Sequence, residues 1–85
     1  MILSQKGRTP DEKFLIQLYF LAKEANDLFV EIEIDQVLKK QGFGQGMGKT
    51  IVRDLAQANF VKKRGDQAIV LTQQGISFVE KELED

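Results

Sequence analysis

The 85-residue sequence has no cysteine, no histidine, no tryptophan and a single proline. Without cysteine there is neither a disulfide framework nor a thiolate metal site, and without histidine the zinc, haem and general-base chemistries lose their commonest side chain. Long apolar runs are missing too. Met1-Ile2-Leu3 gives way at once to Ser4-Gln5-Lys6-Gly7, too short for the core of a signal peptide or for a membrane span. Nor is either charge in surplus, with 12 basic and 13 acidic residues for a net charge of -1. A chain of this length folds as one domain that buries about 60–65% of its unfolded surface, enough for one modest core but not for a large catalytic cleft. The expectation is a soluble cytoplasmic protein without a membrane partner, a cofactor, a metal or an indicated small-molecule ligand.

The near-zero balance conceals an ordered distribution. Between Lys39 and Arg64 lie seven basic residues, Lys39, Lys40, Lys49, Arg53, Lys62, Lys63 and Arg64, against Asp54 alone. Residues 11–38 carry -5, residues 65–85 carry -4 and residues 1–10 carry +2. A protein that meets a polyanion gathers its positive charge at the contact, and the middle of this chain has that character.

Local patterns set the order of elements. Residues 1–8 read as an N-terminal arm, with Ile2 and Leu3 as its apolar side chains, and residues 9–85 as the domain. Thr9-Pro10-Asp11-Glu12 has the form of a capping box with proline at the first helical position. Phe14, Leu15, Leu18, Leu21, Ala22 and Ala25 then trace one helical stripe to about Asn26. Val30, Ile32 and Ile34 alternate with Glu31 and Glu33, which predicts a short strand with one wet face. Asp35 is placed to cap a brief second helix, with Val37 and Leu38 inward and Gly42 as its stop. After a glycine-rich turn, Ile51, Val52, Leu55 and Ala58 form the inner face of a third helix spanning about Met47 to Asn59, with Lys49, Arg53 and Gln57 opposite at steps of four. Two extended runs around a central Gly65-Asp66 pair predict a hairpin. Thr72 then caps a last helix whose inward positions are Ile76, Val79 and Leu83.

Two catalytic or nucleotide readings fail on spacing. Gly48-Lys49-Thr50 ends like a phosphate-binding loop, but the glycine needed five positions before Gly48 is Phe43, and a helix rather than a strand is expected to lead into it. Glu31 and Glu33 share one side of a strand without a histidine or a third acid beside them, so a wet strand face accounts for them. No nucleophilic constellation can be assembled, and an enzyme is not expected.

The order helix, short strand, helix, turn, helix, two-stranded hairpin, helix resembles the winged helix-turn-helix family over roughly residues 9–84. The residues that carry the resemblance are the helix pair Asp35–Gln41 and Met47–Asn59, the run from Leu55 to Asp66, and Leu71-Thr72-Gln73-Gln74-Gly75, a leucine-threonine-x-x-glycine step behind a basic hairpin. It is similar to small bacterial regulators of the multiple-antibiotic-resistance and phenolic-acid-regulator types. The resemblance implies an α+β fold with a three-helix core, a short strand, a hairpin wing and a C-terminal helix. It further implies sequence-specific binding of double-stranded DNA by a transcriptional regulator, helix 47–59 lying in the major groove and the wing, 60–71, on the backbone or in the minor groove.

On that basis Gln45, Lys49, Thr50, Arg53 and Gln57 are the candidate base and phosphate contacts of the third helix, Arg53 foremost because its planar fork can pair with guanine. The amides of Gly46 to Lys49 are candidates for a phosphate, and Lys62, Lys63 and Arg64 for further phosphate contacts on the wing. Ile16 and Phe20 fall opposite the apolar stripe of the first helix, with Tyr19 at its boundary, and Phe78 lies away from the inner face of the last. Either the N-terminal arm and the last helix cover this second apolar face or a partner does. Since regulators of the type it resembles commonly dimerise through their terminal helices, the resemblance implies a homodimer. The competing reading is a winged-helix protein-interaction module that does not bind DNA and uses the same apolar face.

Overall fold

In a computed structural model that describes residues 9–42 and 44–84, the first helix begins where the capping box requires it. The Glu12 amide donates to Thr9 Oγ1 at 3.1 Å, and the Thr9 amide donates to the Glu12 carboxylate at 3.2 Å. These reciprocal bonds satisfy two amides that a helix start otherwise leaves open. Helix α1 runs Pro10–Glu24 and buries Phe14, Leu15, Leu18, Tyr19, Leu21 and Ala22, whereas Ala25 caps its C-terminus in solvent. The element order continues β1 (Ile32–Glu33), α2 (Ile34–Gln41), α3 (Gln45–Gln57), β2 (Val61–Arg64), β3 (Ala68–Leu71) and α4 (Gln73–Glu84). The expected arm, residues 1–8, lies outside the described residues.

Helices α1 and α3 stop in the same way. Asn26 and Asn59 adopt positive φ, 61° and 65°. The Asp27 amide donates to the Ala22 carbonyl and the Asn26 amide to Lys23, and at the other helix Phe60 donates to Leu55 and Asn59 to Ala56. Each is a paired C-terminal closure that uses asparagine, the non-glycine residue best suited to the left-handed region.

The three strands form one antiparallel sheet in the order β1-β3-β2. β3 is central, and its Ile69, Val70 and Leu71 are all buried. The expected strand over Val30–Ile34 is cut to two residues, and Asp35 does not cap α2. The Ile34 amide instead donates at 2.8 Å to the Gln67 carbonyl, continuing the ladder one step into the helix, so the first turn takes a backbone acceptor where a side-chain cap was expected. The hairpin also departs from the expected two-residue turn. Arg64 pairs with Ala68, leaving Gly65, Asp66 and Gln67 as a three-residue loop with Gly65 at φ 67°.

One core joins α1, the inner faces of α2 and α3, the helix-facing side of the sheet, and Ile76 and Val79 of α4. Leu83, one turn beyond Val79, is exposed, as is Ala58. Tyr19 also departs from its expected place on the second apolar face. It is buried against α4 and its hydroxyl donates to Glu80 at 3.0 Å. Phe78 is half-buried, stacked on Phe60 with ring centroids 5.0 Å apart, and Ile16 is half-buried against the core; of that group Phe20 alone is exposed. Of this face the last helix covers Tyr19.

A compact joint ties α3, the hairpin and α4 together. The Thr72 hydroxyl donates to the Asn59 carbonyl at 2.6 Å and accepts from the Gly75 amide at 3.0 Å, while the Thr72 amide donates to the Phe60 carbonyl at 3.1 Å. Gly75 sits so close to Phe60 that an added Cβ would overlap the Phe60 carbonyl oxygen. Gly75→Ala is expected to lower stability by about 2–3 kcal/mol, the usual cost of overpacking against a backbone that cannot yield. Gly46, with nothing within 4 Å of such a Cβ, should gain up to about 1 kcal/mol from the same change through helix propensity. Urea denaturation of the two variants checks both signs.

The Tyr19 hydroxyl is pushed above its ordinary value of 10.0, first by burial and then by its hydrogen bond to Glu80 and that carboxylate's negative charge. Because the folded value lies above the unfolded one, this contribution to stability is complete below pH 10.0 and is lost as pH rises through the folded value. Ultraviolet titration should show native phenolate appearing at higher pH than in urea-unfolded protein, and Tyr19→Phe should cost about 1 kcal/mol.

Candidate nucleic-acid interface

The inner positions of α3, Ile51, Val52 and Leu55, are buried in the core, which fixes the helix's rotation and turns Lys49, Arg53 and Gln57 outward. Its axis is set where it crosses α2. Gly48 is buried there, and a Cβ on it would come within 2.8 Å of Leu38 Cδ1. The glycine of the glycine-lysine-threonine sequence thus serves helix packing, and the element leading into it is a helix.

Between this outer face, the start of α2 and the hairpin lies an open cleft of about 900 Å³. Lys49, Arg53 and Gln57 line it from α3, and Lys63, Asp66 and Gln67 line it from the hairpin. Its floor is apolar, with Ile34, Leu38, Val52 and Ala56. The structure therefore brings the helix cations and one hairpin cation onto a common outer surface. Arg53 also meets Asp54, Nε to Oδ1 at 3.6 Å, an exposed pair of little energetic weight that leaves the ends of the guanidinium available.

Other expected contacts fall elsewhere. Thr50 is exposed on α3 but does not line the cleft. For Gln45 the backbone alone is described, as the first residue of α3. Side chains alternate along a strand, so with Lys63 turned to the cleft, Lys62 and Arg64 occupy the other face of the sheet. The wing triplet is split. Since α3 starts at Gln45 rather than Met47, the amides expected to be open at Gly46–Lys49 shift towards the N-terminus; that of Met47 donates to the Gly44 carbonyl at 3.2 Å, and that of Lys49 falls inside the helix.

Three acids that the basic block did not include also line the cleft, Glu33, Asp35 and Asp66. Glu33 and Asp35 precede the block in sequence and reach the site through the β1–α2 junction; Asp66 follows it by two residues. The alternation at Glu31 and Glu33 pointed to a wet face, but only the pairing of Glu33 with Ala68 puts Glu33 beside the hairpin. The cleft thus offers cations and carboxylates around an apolar floor, a set of groups able to hydrogen-bond to base edges as well as to attract phosphates.

Neither a family model nor a curated protein matches the sequence. Solved structures do match the fold, among them the following two. One is MepR, a transcription regulator of the Staphylococcus aureus multidrug efflux pump MepA, with a TM-score of 0.68 and 20% identity; the other is the MepR A103V mutant from a multidrug-resistant S. aureus clinical isolate, at 0.70 and 16%. Each alignment covers 98% of this chain and 61% of the MepR chain. The chain has the winged-helix fold of these proteins, as its element order led us to expect, and spans about three-fifths of their length. Among the described residues no helix is long and apolar enough to cross a membrane, and no group of three or more acids is placed to hold a metal.

Proposed function

We propose that the protein binds double-stranded DNA as a transcriptional regulator, with α3 in the major groove and the hairpin against the phosphate backbone. The observation that carries this reading is the placement of Lys49, Arg53, Gln57 and Lys63 around one outward-facing cleft. A recognition helix must be buried on one side and bear donors and cations on the other, and α3 is built so. The similarity of fold to MepR, described as a transcription regulator, supports the same role. Arg53 is assigned to a base edge, and Lys49 and Lys63 to phosphates, while Lys62 and Arg64 contribute charge from the far side of the wing. A cytoplasmic location accords with that role.

Replacing Lys49 and Arg53 together by alanine should weaken binding to random duplex DNA and flatten its salt dependence by about 0.9 in log–log slope for each phosphate no longer neutralised. Unchanged affinity and slope would refute the assignment. Asp35→Asn with Asp66→Asn should act in the opposite sense and tighten binding at low salt, because both carboxylates line the cleft and repel a polyanion.

The working form is proposed to be a homodimer joined through the terminal helices. Phe20 on α1 and Leu83 on α4 are 45% and 42% exposed, apolar side chains on the two terminal helices that a second chain would cover. Light scattering should give twice the chain mass, and Phe20→Asp should return it to one chain; a compact monomer at working concentration in the unaltered protein would exclude the dimer.

A further inference from the structure

We infer that residues 1–8 are this chain's own ligand for a second pocket, where Lys6 and Arg8 meet a rim of carboxylates and the Ile2-Leu3 pair covers a phenylalanine floor. The inference is independent of the DNA-binding reading. It concerns the flank of α3 opposite the cleft, the side that bears Asp54 and Ala58.

This pocket, of about 230 Å³, lies between the first turn of α1, the end of α3 and α4. Asp11 and Glu12 of α1 and Asp54 of α3 stand on its rim, and among the described residues no lysine or arginine lines it. Two of these acids have contacts already: the Glu12 carboxylate accepts from the Thr9 amide, and Asp54 meets Arg53 at 3.6 Å. Charge of one sign is nonetheless crowded here. The Asp11 carboxyl is held above its ordinary value of 3.8, first by burial and then by the negative charges of Asp54 and Glu12. The rest of the lining is apolar, with Ala58 and the stacked Phe60–Phe78 pair facing the opening and Leu15 and Leu55 of the core behind them.

Three arguments select the occupant. Residues 1–8 contain Lys6 and Arg8, no acid, and the apolar pair Ile2-Leu3, so segment and pocket are complementary in charge and in polarity. Attachment is the second. Thr9, which follows the segment directly, itself lines the pocket. Leu3 precedes Thr9 by six residues, a reach of up to about 20 Å, and Gly7 permits the reversal that a return onto α1 requires. So short a tether gives a local concentration in the millimolar range, which a second copy or a foreign peptide at micromolar concentration does not match. Size is the third, since sites for free small molecules run to roughly 300–1,000 Å³. Phe78, half-buried and turned away from the inner face of α4, thereby gains a cover from within its own chain.

Nuclear Overhauser contacts in the full chain test the docking. Methyl protons of Ile2 or Leu3 should show contacts to the rings of Phe60 or Phe78, and an isotope-filtered spectrum of mixed labelled and unlabelled chains should show them to be intramolecular. No contact to either ring would overturn the inference. Contacts that arise only between chains would overturn it too, and assign the pocket to the arm of a second copy. Limited trypsin digestion tests the charge pairing. Asp11→Asn with Asp54→Asn should speed cleavage after Lys6 and Arg8 about fivefold, the weight of two exposed ion pairs. Cleavage after Lys13, inside α1, should not change, which separates release of the segment from unfolding of the domain. An unchanged rate after Lys6 and Arg8 would overturn the charge complementarity on which the choice of occupant rests.

Discussion

The approach of Gly75 to the Phe60 carbonyl is the constraint on which the working geometry depends. The cleft can exist only if the hairpin leaves the end of α3 at one fixed angle, and that angle is set within a few residues. Asn59 turns the chain through its left-handed conformation, the Thr72 hydroxyl bridges the Asn59 carbonyl and the Gly75 amide, and Gly75, lacking a side chain, lets the start of α4 touch the backbone of Phe60. A further bond from Asn59 Nδ2 to Gln74 Oε1 at 2.9 Å braces the same joint from outside. The leucine-threonine-x-x-glycine step thus has a mechanical meaning: threonine supplies both a donor and an acceptor, and glycine supplies the clearance.

A second joint completes the frame. The bond from the Ile34 amide to the Gln67 carbonyl couples the start of α2 to the turn of the hairpin, and Gly48 lets α3 close on Leu38. The cleft is therefore bounded by elements fixed to one another on two sides, and its charged side chains project from a backbone with little freedom to rearrange. Cations and carboxylates line the same opening, so in the proposed role attraction to a duplex would be moderated there. Preference for one sequence over another benefits from such moderation, because attraction to phosphate alone is blind to sequence.

Much of this architecture was legible in the residues. The capping box at Thr9, the two asparagines that end α1 and α3, the glycine after α2 and the order of elements all follow from local rules whose physics acts over three or four residues. The features that escaped are those fixed by partners distant in sequence. β1 shrank and Asp35 lost its capping role because a carbonyl more than thirty positions away took the Ile34 amide. Tyr19 moved from a surface to the interior because α4 packs across it. Lys62, Lys63 and Arg64 form one cluster in sequence, but strand alternation divides them between two faces, and whether Lys63 or its neighbours would look towards α3 depended on a register that no local pattern sets. The cleft carboxylates were missed for the same reason, since a count along the chain cannot show what the β1–β3 pairing brings together.

The hydrogen bond between Tyr19 and Glu80 gives the molecule an unusual optical property. With one tyrosine and no tryptophan, essentially all near-ultraviolet absorption above the phenylalanine bands, and all intrinsic emission of tyrosine type, arises from a single ring lodged between the first and last helices, with the Lys23 ammonium 5.5 Å from its centre. A carboxylate that accepts the phenolic proton quenches such emission, so separation of those two helices would brighten the protein with no label attached. Any event that pulls α4 away from α1 is written in that one chromophore.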